Sequence, residues 1–317
     1  GEPIFTNGLY PGWSAGNEAR LEDPRPRAPN PKENGLGGLP LSHGRWNGLY
    51  RTGDGVVLSY ELAGTPIQES VKLITREFTH GLARSFQLFK KTDESLHLVA
   101  CEIPDAHSAK LDPKTHTALL FDDKRKETVT AVGVFSPRQK VHLEVRDNRL
   151  ILLKVPKGTT PTMFQVITWR GRTEQLPALH KMLRRGVQSM NVKHGGKARW
   201  LDVERTEIKT ATTNAAYVVE ELPLPIPNRW KRNVRPAAIA KFAKGIFATV
   251  TYDGDVWLVY GLVKDNRKIG WKRYAAGLHE SLSIEVVDGK IHVFTRNGII
   301  RLHDLNNDME ADFYENF

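Results

Sequence analysis

Ile246-Phe-Ala-Thr-Val-Thr-Tyr-Asp-Gly-Asp-Val-Trp-Leu-Val259 reads as a β run, an Asp-Gly pair and a second β run. Further on, Leu282-Ser-Ile-Glu-Val-Val-Asp-Gly-Lys-Ile-His-Val-Phe294 repeats the pattern, and Asp253–Val259 aligns with Asp288–Phe294 over seven positions at an offset of 35. Asp-Gly between alternating strands marks a hairpin, because a type I′ turn needs positive φ at its central residues. A repeat of roughly this period suggests propeller-type blades. One to two blades are therefore expected over residues 238–317, with Ile299-Ile-Arg-Leu302 as a further strand.

That strand runs into Asp304-Leu-Asn-Asn-Asp-Met-Glu-Ala-Asp-Phe-Tyr-Glu-Asn-Phe317. Oxygen-bearing residues recur at alternate positions in Asp304, Asn306, Asp308, Glu310 and Asp312, and Glu315 closes a twelve-residue window. A hard cation such as calcium takes roughly six to eight oxygens, and this spacing supplies them in a calcium loop. The sharp turn at the sixth position normally needs Gly, and here it is Met309. A strand rather than a helix precedes the window. An EF-hand is therefore excluded, and a calcium-type hairpin loop is expected, using Asp304, Asn306, Asp308 and Asp312 with a main-chain oxygen near Glu310.

Towards the N-terminus, Glu221-Leu-Pro-Leu-Pro-Ile-Pro-Asn228 opens a proline-rich linker at 223–237. Residues 49–222 read as an antiparallel β-sandwich-like domain. Its strands are short, alternating or wholly apolar, as in 56–62, 85–90, 95–103, 128–135, 141–145, 150–155 and 163–169. Arg146-Asp-Asn-Arg149 suits a hairpin turn. One short helix is expected with Thr173 as its cap, Leu176, Leu179 and Leu183 on one face and Gly186 as its stop. Residues 1–48 form a Gly/Pro-rich extended arm, with Phe5, Tyr10 and Trp13 as its expected anchors. The fold class is mainly β.

Forty per cent hydrophobic and 26% charged residues describe a globular chain with a sizeable core. No apolar run is long enough to span a bilayer, and no signal peptide opens the sequence. The single Cys101 lies in an alternating strand and excludes an intrachain disulfide or a thiolate cluster. Net charge is +10 although the acidic ending carries five acids and no base, which leaves +15 on the remainder. Basic clusters at Lys124-Arg-Lys126, at Lys181 with Arg184-Arg185, and at Arg229, Lys231, Arg232 and Arg235 would suit an acidic protein, polysaccharide or nucleic acid. No nucleic-acid motif accompanies them, which argues against that partner. No catalytic set stands out among the scattered histidines, and Lys193-His-Gly-Gly-Lys197 reads as a surface turn.

Four motifs share one resemblance. Gly44-Arg-Trp-Asn-Gly-Leu-Tyr-Arg-Thr-Gly-Asp-Gly-Val-Val-Leu-Ser-Tyr60, Glu220-Glu-Leu-Pro-Leu-Pro225, Asp253-Gly-Asp-Val-Trp257 and Arg301–Phe317 resemble the N-terminal part of large secreted bacterial proteins. These join an uncharacterised β-rich domain to a propeller similar to sorbosone and glucose dehydrogenases, often with a c-type cytochrome domain. The resemblance implies a periplasmic or secreted location and oxidation of sugars or related alcohols. It also implies that the catalytic residues, and any haem c or quinone, lie in a further segment or partner chain. The alternative expectation is a calcium-stabilised binding module for polysaccharide or an acidic protein.

Overall fold

The computed structural model describes residues 12–30, 32, 35–53, 55–122, 127–137, 140–187, 190–209, 212–213, 215–262 and 267–317. Phe5, Tyr10 and the Lys124-Arg-Lys126 cluster lie outside them. Among the described residues the chain is mainly β, with antiparallel sheets and one short α-helix, and it divides into two units. Gly1–Trp46 and Gly55–Asn191 form the first; Asn47–Asp54 and Val192–Phe317 form the second.

In chain order the first unit contains β1 (Trp13–Ala15), the start of β2 (Gly44–Thr52), β3 (Gly55–Leu62), β4 (Thr65–Arg76), β5 (Thr79–Leu88), β6 (Leu96–Glu102), β7 (Ala106–Asp112), β8 (Thr117–Asp122), β9 (Thr128–Phe135), β10 (His142–Arg146), β11 (Leu150–Val155) and β12 (Thr162–Arg172). One sheet has the order β1-β6-β11-β10. The other runs β3-β4-β5-β12-β9-β8-β7. Alternation decides the layering, because side chains two apart share a face. Leu96, Leu98 and Leu153 of the first sheet share one core with Ile67, Phe86, Val132 and Phe164 of the second.

The far face of the larger sheet is covered by helix α1 (Leu176–Leu183), whose Leu179, Met182 and Leu183 pack on Ala131, Ile167 and Trp169. Thr173 does not cap α1. It starts a 3-10 turn, and the α-helical N-cap is Gln175. Gly186 adopts φ +70 after the helix, as a stop residue does. The arm is held where Trp13 pairs with Leu98 and its indole N–H donates to Tyr60 at 3.0 Å.

The second unit contains β13 (Val203–Glu207), β14 (Pro236–Ala243), β15 (Ile246–Thr251), β16 (Val256–Tyr260), β17 (Lys268–Ala275), β18 (Ser283–Val287), β19 (Lys290–Thr295), β20 (Gly298–His303) and β21 (Phe313–Asn316). Residues of β2 from Asn47 onward also belong to it. Strands β14 to β17 form a consecutive meander with β13 added at its far edge, and β18 to β21 form a second with β2 added. Ala248, Val250 and Leu258 of the first meander pack on Ile284, Ile291 and Val293 of the second.

The division falls at 191/192 rather than in the proline run. β13 pairs with β17 from Val203↔Lys272 to Glu207↔Lys268, and Leu222 and Leu224 pack on Trp257 and Trp271. These contacts commit residues 192–222 to the second unit. The two Asp-Gly turns also differ. Asp288 and Gly289 have φ of 51 and 72 and join Val287 directly to Lys290, as a two-residue hairpin requires. Asp253-Gly254 belongs to a longer loop closed by Thr251 and Asp255. The 35-residue alignment matches the second hairpin of one meander to the first hairpin of the next, so it is not the period of the meanders.

Candidate functional site

The acidic segment connects β20 to β21, which pair from Ile300↔Asn316 to His303↔Phe313. Its head is a set of nested turns of the kind Asp and Asn side chains form with nearby N–H groups. Asp304 accepts the N–H groups of Asp308 at 3.2 Å and Met309 at 2.9 Å. Asn306 accepts the Asp308 N–H at 3.0 Å, and Asp308 accepts that of Glu310 at 2.9 Å. Met309 takes the left-handed conformation expected of Gly, with φ 66, and its side chain packs against the core shared by the meanders.

Asp312 points to a different neighbour. It is 1% exposed and accepts N–H groups from Gly196 and Leu305, each at 2.8 Å. The Gly195-Gly196 pair makes this approach feasible. A Cβ on Gly195 would lie 2.4 Å from an Asp312 carboxylate oxygen, and Gly195 has φ +66. Asn306 supports the contact by donating to the Gly196 carbonyl at 2.7 Å. The glycines of Lys193–Lys197 thus form a backbone clamp rather than a simple surface turn.

Glu310 is also 1% exposed and is the centre of the arrangement. One carboxylate oxygen accepts the Trp200 N–H at 2.7 Å and faces Lys272 Nζ at 3.3 Å. The other accepts the Arg199 N–H at 2.8 Å and faces Arg51 Nη2 at 3.3 Å. Lys272 also donates to the Trp200 carbonyl at 2.8 Å. The guanidinium carbons of Arg51 and Arg273 lie 5.0 and 4.4 Å from the Trp200 ring centroid. Arg273 donates to the fully buried Asp255 at 2.7 Å, and Arg232 donates to the same carboxylate at 2.8 Å. Removing one partner from such a buried pair typically costs about 3–5 kcal/mol.

Glu315 closes the expected window yet turns to β20. Arg301 grips it bidentately with two contacts of 2.6 Å, and His303 Nε2 approaches it at 2.5 Å. The Arg301 contact holds the Glu315 carboxyl below its ordinary range. Burial pushes His303 down, so at neutral pH its ring is neutral and donates from Nε2.

The six expected calcium ligands therefore do not assemble around one point. Asp304, Asn306 and Asp308 come together at the loop head, where each oxygen accepts an N–H donor of the loop. Glu310, Asp312 and Glu315 face three separate partners: a cationic pair, the glycine loop and the Arg301–His303 pair. Among the described residues, no group of three or more His, Cys, Asp or Glu is placed to hold a metal. The segment instead uses its carboxylates to join β2, the 195–200 loop and β17. Cys101 is buried, and that burial pushes its thiol up to about 12.

Sequence reasoning missed Arg51, Lys272 and the N–H groups of Arg199 and Trp200 as partners of Glu310. No local spacing links Arg51 to a carboxylate 259 positions away. Residues 1–69 match a family model described as a domain of unknown function, DUF6797. No curated protein matches the chain.

Proposed function

We propose that the chain is a non-catalytic N-terminal β region of a periplasmic or secreted, propeller-type, cytochrome-linked oxidoreductase acting on sugars or related alcohols. Any haem c or quinone belongs to another segment or partner chain. The reading rests on the resemblance of Asp253–Trp257 and Arg301–Phe317, and one observation carries it in the fold. The second unit holds two consecutive four-stranded meanders, β14–β17 and β18–β21, packed on each other.

The turns after the first strand of each meander, at Gly245 and Gly289, are 44 positions apart. That spacing lies in the blade range of roughly 40–50 residues. Matching these turns aligns Phe247 with Ile291 and Ala248 with His292. Ala248 faces the second meander, whereas Ile291 faces the first. Equivalent positions therefore point the same way round, as successive blades do, and not towards each other as in a two-fold pair. The acidic ending supplies rigidity to this module and no chemistry.

The test is an assay of this chain on aldoses and polyols with a dye electron acceptor, beside a glycan-binding array. No turnover and no glycan capture are expected from the chain alone. Turnover would overturn the non-catalytic assignment, and saturable glycan binding would replace it with the binding-module alternative.

A further inference from the structure

Near the tip of the β4–β5 hairpin, β4 runs on past its pairing with β3, while β5 stays paired with β12 up to Trp169↔Gly81, so only the last residues of the hairpin reach beyond the sheet. β3 pairs with β4 only as far as Val57↔Ser70, whereas the β4–β5 ladder continues to Arg76↔Thr79. The two residues at the tip, Glu77 and Phe78, have φ of 47 and 63. Positive φ at both positions is what a tight hairpin requires, and Asn-Gly is the usual choice. A bulky side chain there is conformationally costly. Yet Phe78 is 100% exposed and gains no packing in return.

Two more apolar side chains accompany it. Leu73 is 71% exposed and Val71 39%, and alternation places both on one face of the ribbon. The opposite face carries Ile74, which packs against the α1 cluster, flanked by the exposed cations Lys72 and Arg76. Helix α1 adds Lys181, and the exposed Arg184 and Arg185 follow it. Glu77 is the only acid between Glu69 and Asp93, and Lys181 pairs with it.

We propose that this ribbon is a membrane-surface anchor. Phe78 and Leu73 enter the interface of an anionic bilayer, while Lys72, Arg76 and the cations of α1 face the lipid phosphates. Phe78 stands at the tip of the hairpin, and Leu73 and Val71 lie behind it on one face of β4, a narrow apolar end rather than a broad patch. Such an end penetrates a fluid surface without needing a shape-matched pocket. The charge around it is complementary to anionic headgroups, which attract each nearby cation by roughly fivefold in partitioning. Burying an aromatic or leucine side chain adds roughly tenfold or more.

Sedimentation with phosphatidylcholine vesicles, with and without phosphatidylglycerol, tests the anchor. The chain is expected to sediment with the anionic vesicles alone, less so at high salt. Leu73→Ser and Phe78→Gly should each weaken binding roughly tenfold. Phe78→Gly relieves the positive φ, so the melting temperature should hold or rise while binding falls. A role in folding would move both in the same direction. Absence of phosphatidylglycerol-dependent sedimentation would overturn the proposal, as would undiminished binding by Phe78→Gly. Capture by a soluble protein without vesicle binding would assign the ribbon to a protein pocket instead.

Discussion

Glu310→Ala is the most informative single change in the second unit. Glu310 accepts two backbone N–H groups and faces two cations, Arg51 and Lys272, which are only 7% and 8% exposed. Truncation leaves both cations without their shared anion and both N–H groups without an acceptor. Breaking a buried ion pair typically costs about 3–5 kcal/mol, and each stranded N–H adds about 1–3 kcal/mol where water does not reach it. The ion-pair part alone, about 4 kcal/mol, is a large share of the roughly 5–15 kcal/mol that stabilises a domain. Urea unfolding followed by tryptophan fluorescence would measure it, since Trp200, Trp230, Trp257 and Trp271 all lie in this unit. The midpoint should fall steeply with an unchanged slope. A change below about 1 kcal/mol would refute the reasoning, because that is the range of a solvated surface pair.

Three further outcomes follow from the same geometry. Asp308→Ala removes two turn contacts, from the Glu310 N–H and the Asn306 amide, and should cost about 1–2 kcal/mol, while added calcium leaves the melting temperature unchanged in parent and variant. A calcium-dependent rise that disappears in Asp308→Ala would reinstate a metal loop. Gly195→Ala places a Cβ against Asp312 at a φ of +66 and should cost about 2 kcal/mol or more in the same unfolding assay. Stability should fall in acid because Glu315 has a lowered folded pKa. Its contribution is present above the ordinary carboxyl value of 4.5 and is lost as pH falls through the lower folded value. Burial lowers His303 from 6.5, so its contribution begins to fade nearer that pH. Arg301→Ala should flatten the Glu315 part of a stability–pH curve, and an unaltered curve would contradict the assignment.

The sequence made the strong local signals legible. Asp288-Gly289 forms the two-residue turn that its Gly demands, and Asp147 and Asn148 take φ of 52 and 54 at the β10–β11 hairpin. The apolar runs of β9, β11 and β12 announce buried strands. Strands β4 and β7 were missed because Thr65–Arg76 and Ala106–Asp112 carry Gln, Lys, Arg, His or Asp at many positions and bury only part of one face. The proline run looked like a boundary because prolines exclude regular pairing, but the Leu residues between them pack on the Trp257–Trp271 surface. The acidic ending revealed its turn geometry and concealed its partners. Asp304, Asn306 and Asp308 interact within their own loop, as their spacing suggests. Glu310 and Asp312 act through strands and loops far away in sequence, where neither periodicity nor motif spacing carries information.

A double-mutant cycle between Arg51 and Glu310 tests most directly the claim that the acidic ending is a buried structural lock. The unfolding free energies of the parent, Arg51→Ala, Glu310→Ala and the double variant would be compared. A coupling of about 1.5–3 kcal/mol is expected, with the double variant less destabilised than the sum of the single changes. Additivity within about 0.5 kcal/mol would contradict the lock and return Glu310 to the role of an uncoupled acid.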